Sequence, residues 1–242
     1  MFNILTTKVI DLPLGMNIGR IMNKKITELK DIHKGEDIWV IGAGSSMNYV
    51  DPSFFENKIS ISVNQMYEHF PCEYVVGRDL QVRQRWEETI KDLSNRQDIK
   101  FLYSRTHQGY GGVNPIVESD NFYEFESGER GMIDCIGTNS MVAIRTTLNT
   151  CIQIAGYMGA KNIMICGKDE GRLNGNLYYD GYVKDYWPDS ENWGGIENWL
   201  YQTEKNTKMV RDKVKEVYGC NIHSLNPFIN FKLEGNTYEP SK

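Results

Sequence analysis

"DIWVIGAGSSMNYVDP", residues 37–52, carries the segment that decides the fold. Residues 38–41 are apolar or aromatic and run straight into Gly42-Ala43-Gly44-Ser45-Ser46, after which the chain turns polar. A buried strand that ends this way lets the backbone turn sharply and approach a ligand closely, and Ser45 and Ser46 offer hydroxyls. Exposed N–H groups of such a loop suit a phosphate or ribose, and a left-handed conformation is expected at Gly44. A plain strand-to-helix turn would use the same residues. The full dinucleotide fingerprint GxGxxG is absent, because residue 47 is Met.

Working outward, strands and helices alternate. Residues 26–33 read as the end of a helix, within an N-terminal helical lead-in over 1–35. Asp51-Pro52-Ser53 opens a short helix with Pro near its first turn. Residues 58–63 (KISISV) and 74–77 (YVVG) read as strands, and 81–93 has helical spacing through Val82, Trp86, Ile90 and Leu93. Residues 100–103 form a further expected strand, and 105–136 a loop-rich stretch. A helix over 146–158, a buried strand over 162–166 (NIMIC), an amphipathic helix over 199–217 and a strand over 221–225 complete the pattern, before an irregular tail. The segment 171–198, rich in Gly, Asn, Asp and aromatics, reads as a lid loop. With no internal repeat or low-complexity linker, residues 1–242 are expected to form one α/β, Rossmann-like domain, a mostly parallel sheet with helices on both faces.

Composition narrows the function. The 242 residues are 40% hydrophobic and 24% charged, with a net charge of −5 and no basic block, which argues against nucleic acid as the main partner. No apolar run is long enough to span a bilayer and the N-terminus lacks signal-peptide segments, so a cytoplasmic location is expected. The five cysteines, Cys72, Cys135, Cys151, Cys166 and Cys220, are spread and odd in number. A full disulfide framework is thereby excluded, no metal site is expected, and most are read as small buried hydrophobes.

Polar residues at strand ends gather on the same edge as the glycine loop. Strand 58–63 ends at Asn64, strand 74–77 at Arg78-Asp79, and strand 162–166 at Gly167-Lys168-Asp169-Glu170. Each Asn or Asp would also serve as a cap or turn former. In parallel sheets, however, ligands bind at the carboxyl ends of the strands.

The segments "HKGEDIWVIGAGSS", "ISVNQMY" and "EYVVGRD" resemble the opening of a family of 6-hydroxymethylpterin pyrophosphokinase-like proteins and motility accessory factors. Ser45-Ser46 stands where that family has Pro-Ser. The chain is similar over a longer span to bacterial sialyltransferases that use CMP-sialic acid. That likeness is carried by Asn64-Gln65-Met66-Tyr67, by Thr146-Thr147-Leu148 with Gly159 and NIMICGKDE, and by Tyr218-Gly219-Cys220-Asn221-Ile222-His223. Residues 81–145 carry no such match.

The resemblance implies a sialyltransferase-like fold and assigns roles. Gly42, Gly44, Ser45, Ser46 and Asn64 would hold the nucleotide's phosphate and ribose. Thr146 and Thr147, at a helix N-terminus, would bind the base, ribose or donor-sugar carboxylate. Tyr178, Tyr179 and Tyr182 sit where lid tyrosines bond the leaving phosphate, although simple lid packing accounts for them equally well. The position of the sialyltransferases' histidine base falls on Gln202, and an amide cannot accept a proton near neutral pH. Asp169, Glu204 and His223 are the candidates for a base, with Asp79 a further binding residue; His107 and His223 both have structural roles open to them.

Two activities and one binding function follow. The first is a nucleotide-sugar-dependent glycosyltransferase, its donor a CMP-linked sugar and its acceptor a glycan or small molecule, with no cofactor required. The second is a pyrophosphokinase acting on a pterin-like alcohol, in which Mg²⁺ would bind Asp79 and Asp169. The third is a nucleotide-binding protein without catalysis.

Overall fold

The structure is a computed structural model, and it describes residues 23–78, 86–104, 118–127, 136–137, 140–141, 146–182, 195–224 and 238–240. Beside the short β1 (Lys24–Lys25), segments rich in β-branched and aromatic residues form the strands β2 (Asp37–Ile41), β3 (Ser60–Val63), β4 (Tyr74–Gly77), β5 (Lys100–Ser104) and β6 (Phe122–Ser127). They are followed by β7 (Ser140–Met141), β8 (Asn162–Cys166), β9 (Gly171–Leu173), β10 (Asn221–Ser224) and β11 (Tyr238–Pro240). The helices are α1 (Trp86–Asn95), α2 (Thr147–Tyr157) and α3 (Ile196–Tyr218), with short 3₁₀ turns between.

The main sheet runs β1-β6-β5-β4-β3-β2-β8-β10, with β7 on β6. Every pairing in it is parallel. The chain steps outward from β2 through β3, β4, β5 and β6, then returns to lay β8 on the other side of β2. The carboxyl ends of β2 and β8 therefore flank the point where the strand order reverses, which is where ligands enter such sheets.

Alternating side chains supply two cores. Val76 and Leu102 join Leu148, Ile152 and Ala155 of α2 in one cluster. Their neighbours Val75 and Phe101 pack with Ile90 and Leu93 of α1 in another. Helices thus cover both faces, as the alternation of strands and helices implied. Every residue of α2 is buried, because α3 covers the side that the sheet does not.

Four expectations change. The lead-in is not one helix: Lys24–Lys25 is a strand on β6, and Ile26–Leu29 is a single 3₁₀ turn. The loop-rich stretch contains β6, an interior strand of the sheet. Glu124 in the middle of β6 conceals it from sequence patterning; its buried carboxylate pairs with Lys25 of the neighbouring β1 and accepts from Tyr103 OH of β5 at 3.4 Å. The segment 171–198 is not one loop. It opens with β9 and closes with the first turn of α3, which starts at Ile196 after Gly195 (φ 93°) without a side-chain cap to announce it. The tail, finally, returns as β11 to pair antiparallel with β9.

Candidate functional site

The site is built where β2 meets β8. Gly42 N–H donates to Cys166 O at 2.8 Å and Gly44 N–H to Gly167 O at 2.9 Å, so the glycine loop extends the pairing of the two strands beyond their ends. Gly44 has φ −70°, an ordinary extended value rather than the left-handed one expected. Its glycine is required by proximity instead. A Cβ there would lie 2.6 Å from Asp169 Oδ2 and 2.7 Å from Gly167 O.

Asp169 is buried, and it organises this loop. Its Oδ2 accepts from the Ser46 N–H at 2.7 Å and from Ser45 Oγ at 3.3 Å, and its Oδ1 accepts from Ser46 Oγ at 2.6 Å. Met47 N–H goes to Gly44 O at 3.1 Å. The N–H groups of Gly42, Gly44, Ser46 and Met47 are therefore given to protein acceptors, and the expectation that they stand exposed for a phosphate does not hold. The resident carboxylate of Asp169 fills the place an anion would take.

Over the loop lies the described part of the expected lid. Gly44 and Tyr178 form an antiparallel bridge, and Tyr179 N–H donates to Ala43 O at 2.9 Å. Asp180 N–H donates to Asn48 Oδ1 at 3.0 Å, and Asn174 Nδ2 to Tyr49 OH at 2.6 Å. Residues 174–182 are thus strapped to the 3₁₀ turn Ser45–Tyr49. The rings of Tyr178 and Tyr182 stack at 5.9 Å, and burial pushes the Tyr178 phenol up to about 12. Tyr179 turns the other way, onto His69 at 5.1 Å and Phe70 at 5.3 Å.

Asn64 caps the carboxyl end of β3 in the left-handed region (φ 49°), which Asn tolerates better than most residues. Its Nδ2 donates to Tyr182 OH at 3.2 Å. Its Oδ1 is buried without a hydrogen-bond partner among the described residues, as is Oε1 of Gln65 beside it. On the other side of the crevice, Thr146 is the N-cap of α2, its hydroxyl accepting from Asn149 N–H at 3.3 Å, and Thr147 is buried in the first turn. Arg78, at the end of β4, donates from Nη1 to Thr146 O at 3.2 Å. It was legible beside Asp79 in the strand-end pattern, but only the crossing of β4 and α2 gives it a role.

Of the residues singled out from sequence, Gly42, Gly44, Ser45, Ser46, Asn64, Asp169, Tyr178 and Tyr182 converge, with Thr146 and Thr147 at the head of α2. Glu204 is exposed on α3, beside the partly buried pair formed by Lys168 and Glu170. His223 is not brought in. It is exposed on the edge strand β10, opposite Met164 rather than at a strand end. Asp79 and His107 lie outside the described residues.

Sequence reasoning missed Lys168 and Glu170 as a unit. Burial lowers the Lys168 ammonium and raises the Glu170 carboxyl, while their ion pair opposes both shifts. No helix among the described residues is long and apolar enough to cross a membrane.

No family model matches the chain, that of the pyrophosphokinase-like proteins included, and no curated protein matches it. Solved structures with similar arrangements are sialyltransferases. One is the sialyltransferase Cst-II in complex with a trisaccharide acceptor and CMP, at 16% identity and TM-score 0.48, covering 80% of this chain and 82% of that one. Another is CstII from Campylobacter jejuni with cytidine-5'-monophosphate, at 18% identity and TM-score 0.46, covering 81% and 82%. A third is the monofunctional α-2,3-sialyltransferase Cst-I from Campylobacter jejuni, at 16% identity and TM-score 0.44, covering 79% and 76%. Each score lies below 0.5, so the functional assignment rests on this chain's own residues.

Proposed function

We propose that the protein is a nucleotide-sugar-dependent glycosyltransferase whose donor is a CMP-linked sugar. The observation that supports this best is the junction of Asn64 and Tyr182. A buried amide oxygen without a donor is costly, and a ligand hydroxyl or amine relieves it. Its companion Nδ2 is bonded to a tyrosine that stacks on Tyr178 directly over the glycine loop. A nucleoside lying along this edge meets an acceptor for its ribose or base and phenols for its phosphate.

The glycine loop then serves as a floor rather than a phosphate cradle. Arg78 and the N-terminus of α2, whose dipole favours negative charge, provide the anion-binding wall. In the reaction the acceptor oxygen attacks the anomeric carbon as the bond to the nucleotide phosphate breaks. Tyr178 and Tyr182 stabilise the departing phosphate by donating hydrogen bonds.

A thermal-shift panel of CMP, UDP, GDP, CMP-sialic acid and ATP, with and without Mg²⁺, tests this. Ligand at a hundredfold excess over its Kd adds about 2.7 kcal/mol of stability. A shift with CMP in the absence of Mg²⁺, lost in Asn64→Ala, is expected, together with CMP release from CMP-sialic acid when a glycan acceptor is added. A response to ATP alone, and only with Mg²⁺, would sink the proposal. CMP binding with no transfer to any acceptor would reduce the protein to a nucleotide binder.

A further inference from the structure

A transferase at this edge needs a proton acceptor, and the carboxylates gathered there are not equivalent. Asp169 has both oxygens engaged by Ser45 and Ser46. Glu204 is exposed on α3. Glu170 follows Asp169 at the end of β8 and is held at φ 54°, a left-handed conformation that costs a non-glycine residue energy and persists where its surroundings enforce it. Its Oε1 pairs with Lys168. Its Oε2 is buried and has no hydrogen-bond partner among the described residues. Thr207 of α3 lies against the carboxylate and favours its ionised form, and its hydroxyl is also within hydrogen-bond distance of Asn149 Oδ1, at 2.9 Å.

We propose that Glu170 is the catalytic base of the transfer reaction, an assignment that rests on the function given above. In the step, the acceptor hydroxyl gives its proton to Glu170 Oε2, and its oxygen forms the new bond to the anomeric carbon. The bond from that carbon to the phosphate oxygen breaks, and the electron pair leaves with the nucleoside monophosphate. Lys168 keeps the carboxylate ionised between turnovers. The groups facing Glu170 are Lys168 on its own strand end and Glu204 and Thr207 on α3. Burial, and to a smaller extent Glu204, raise its carboxyl above the ordinary carboxylate value, while Lys168 and Thr207 restrain the rise.

The experiment compares the wild-type protein with Glu170→Gln and with the double variant Lys168→Met/Glu170→Gln, which removes both partly buried charges together and guards against misfolding of the single variant. Transfer from CMP-sialic acid to a glycan acceptor is followed alongside the CMP-induced thermal shift. Turnover is expected to fall roughly a hundredfold or more in both variants. The CMP shift should be unchanged, and the acid limb of the wild-type pH profile should vanish. Added formate is expected to restore part of the turnover of Glu170→Ala, which loss of a merely structural carboxylate would not permit. Wild-type transfer with undiminished turnover in the Gln variants overturns the assignment alone. Absence of transfer by the wild-type protein from any CMP-linked donor overturns the glycosyltransferase function and this assignment with it.

Discussion

Asp169 receives both the backbone N–H of Ser46, at 2.7 Å, and the Ser46 hydroxyl, at 2.6 Å, so one carboxylate at the end of β8 holds the loop that follows β2. The contact joins the two strands that flank the reversal of strand order, and the geometry of the crevice depends on it.

Removing that carboxylate should loosen the loop. Asp169→Ala leaves the Ser46 N–H buried and unsatisfied, at a cost of about 3 kcal/mol, whereas Asp169→Asn keeps one acceptor and costs about 1 kcal/mol. Urea unfolding measures both. Equal stability of the Ala variant and the wild type would show that the loop is held by other contacts.

Gly44→Ala is expected to destabilise the protein by about 1–3 kcal/mol, because its Cβ would stand 2.6 Å from Asp169 Oδ2 and 2.7 Å from Gly167 O. Gly44→Val should be worse and lose its fold before its ligand affinity can be isolated. Thermal melts decide this. A Gly44→Ala protein that melts with the wild type would mean that the loop can move away without cost.

Tyr182→Phe removes the hydroxyl that Asn64 Nδ2 meets at 3.2 Å but keeps the ring stacked on Tyr178. Stability should change by less than about 1 kcal/mol, while CMP release from donor and acceptor falls roughly tenfold or more through loss of a phosphate-stabilising donor. Unaltered turnover would return the tyrosine pair to simple packing.

The strap over the glycine loop should be ordered in the free protein. The amides of Tyr179 and Asp180 donate to Ala43 O and Asn48 Oδ1, so hydrogen exchange there is expected to be slow without ligand. Rapid exchange of Tyr179, slowing only on addition of CMP, would instead make residues 174–182 a closing lid.

The described cysteines should be inert. Burial pushes the thiols of Cys72 and Cys166 up to about 12 and also raises Cys151 and Cys220. The thiolate is the reactive form, and the raised thiols hold it scarce at pH 8. A thiol-reactive dye should label native Cys135→Ser protein slowly and unfolded protein fully. Fast labelling of Cys151, Cys166 or Cys220 in the native protein would contradict their burial.

Much of this was legible in the chain itself. Apolar β-branched runs ending in Gly, Asn or Asp declared β2, β3, β4 and β8. Thr146 announced α2, and Asp51 with Pro52 announced the turn that follows. These signals are local: each depends on the conformational preference of a few neighbouring residues. β6 was hidden because Glu124 is an exception made tolerable by contacts distant in the chain, with Lys25 and Tyr103, and the start of α3 because Gly195 offers no capping side chain to mark it.

What the residues determined alone is therefore a parallel α/β sheet and the edge on which its polar residues collect. Tertiary structure decided what those residues do there. Asp169 became an anchor because crossing back to β8 set its carboxylate against Ser46, more than a hundred positions away in the chain. Gly44 became necessary for closeness rather than for an unusual dihedral angle, and His223 was left on an outer strand. A carboxylate reads the same in any sequence; whether it holds a loop, pairs with a lysine or awaits a proton depends on which donors the fold brings within 3 Å of its oxygens.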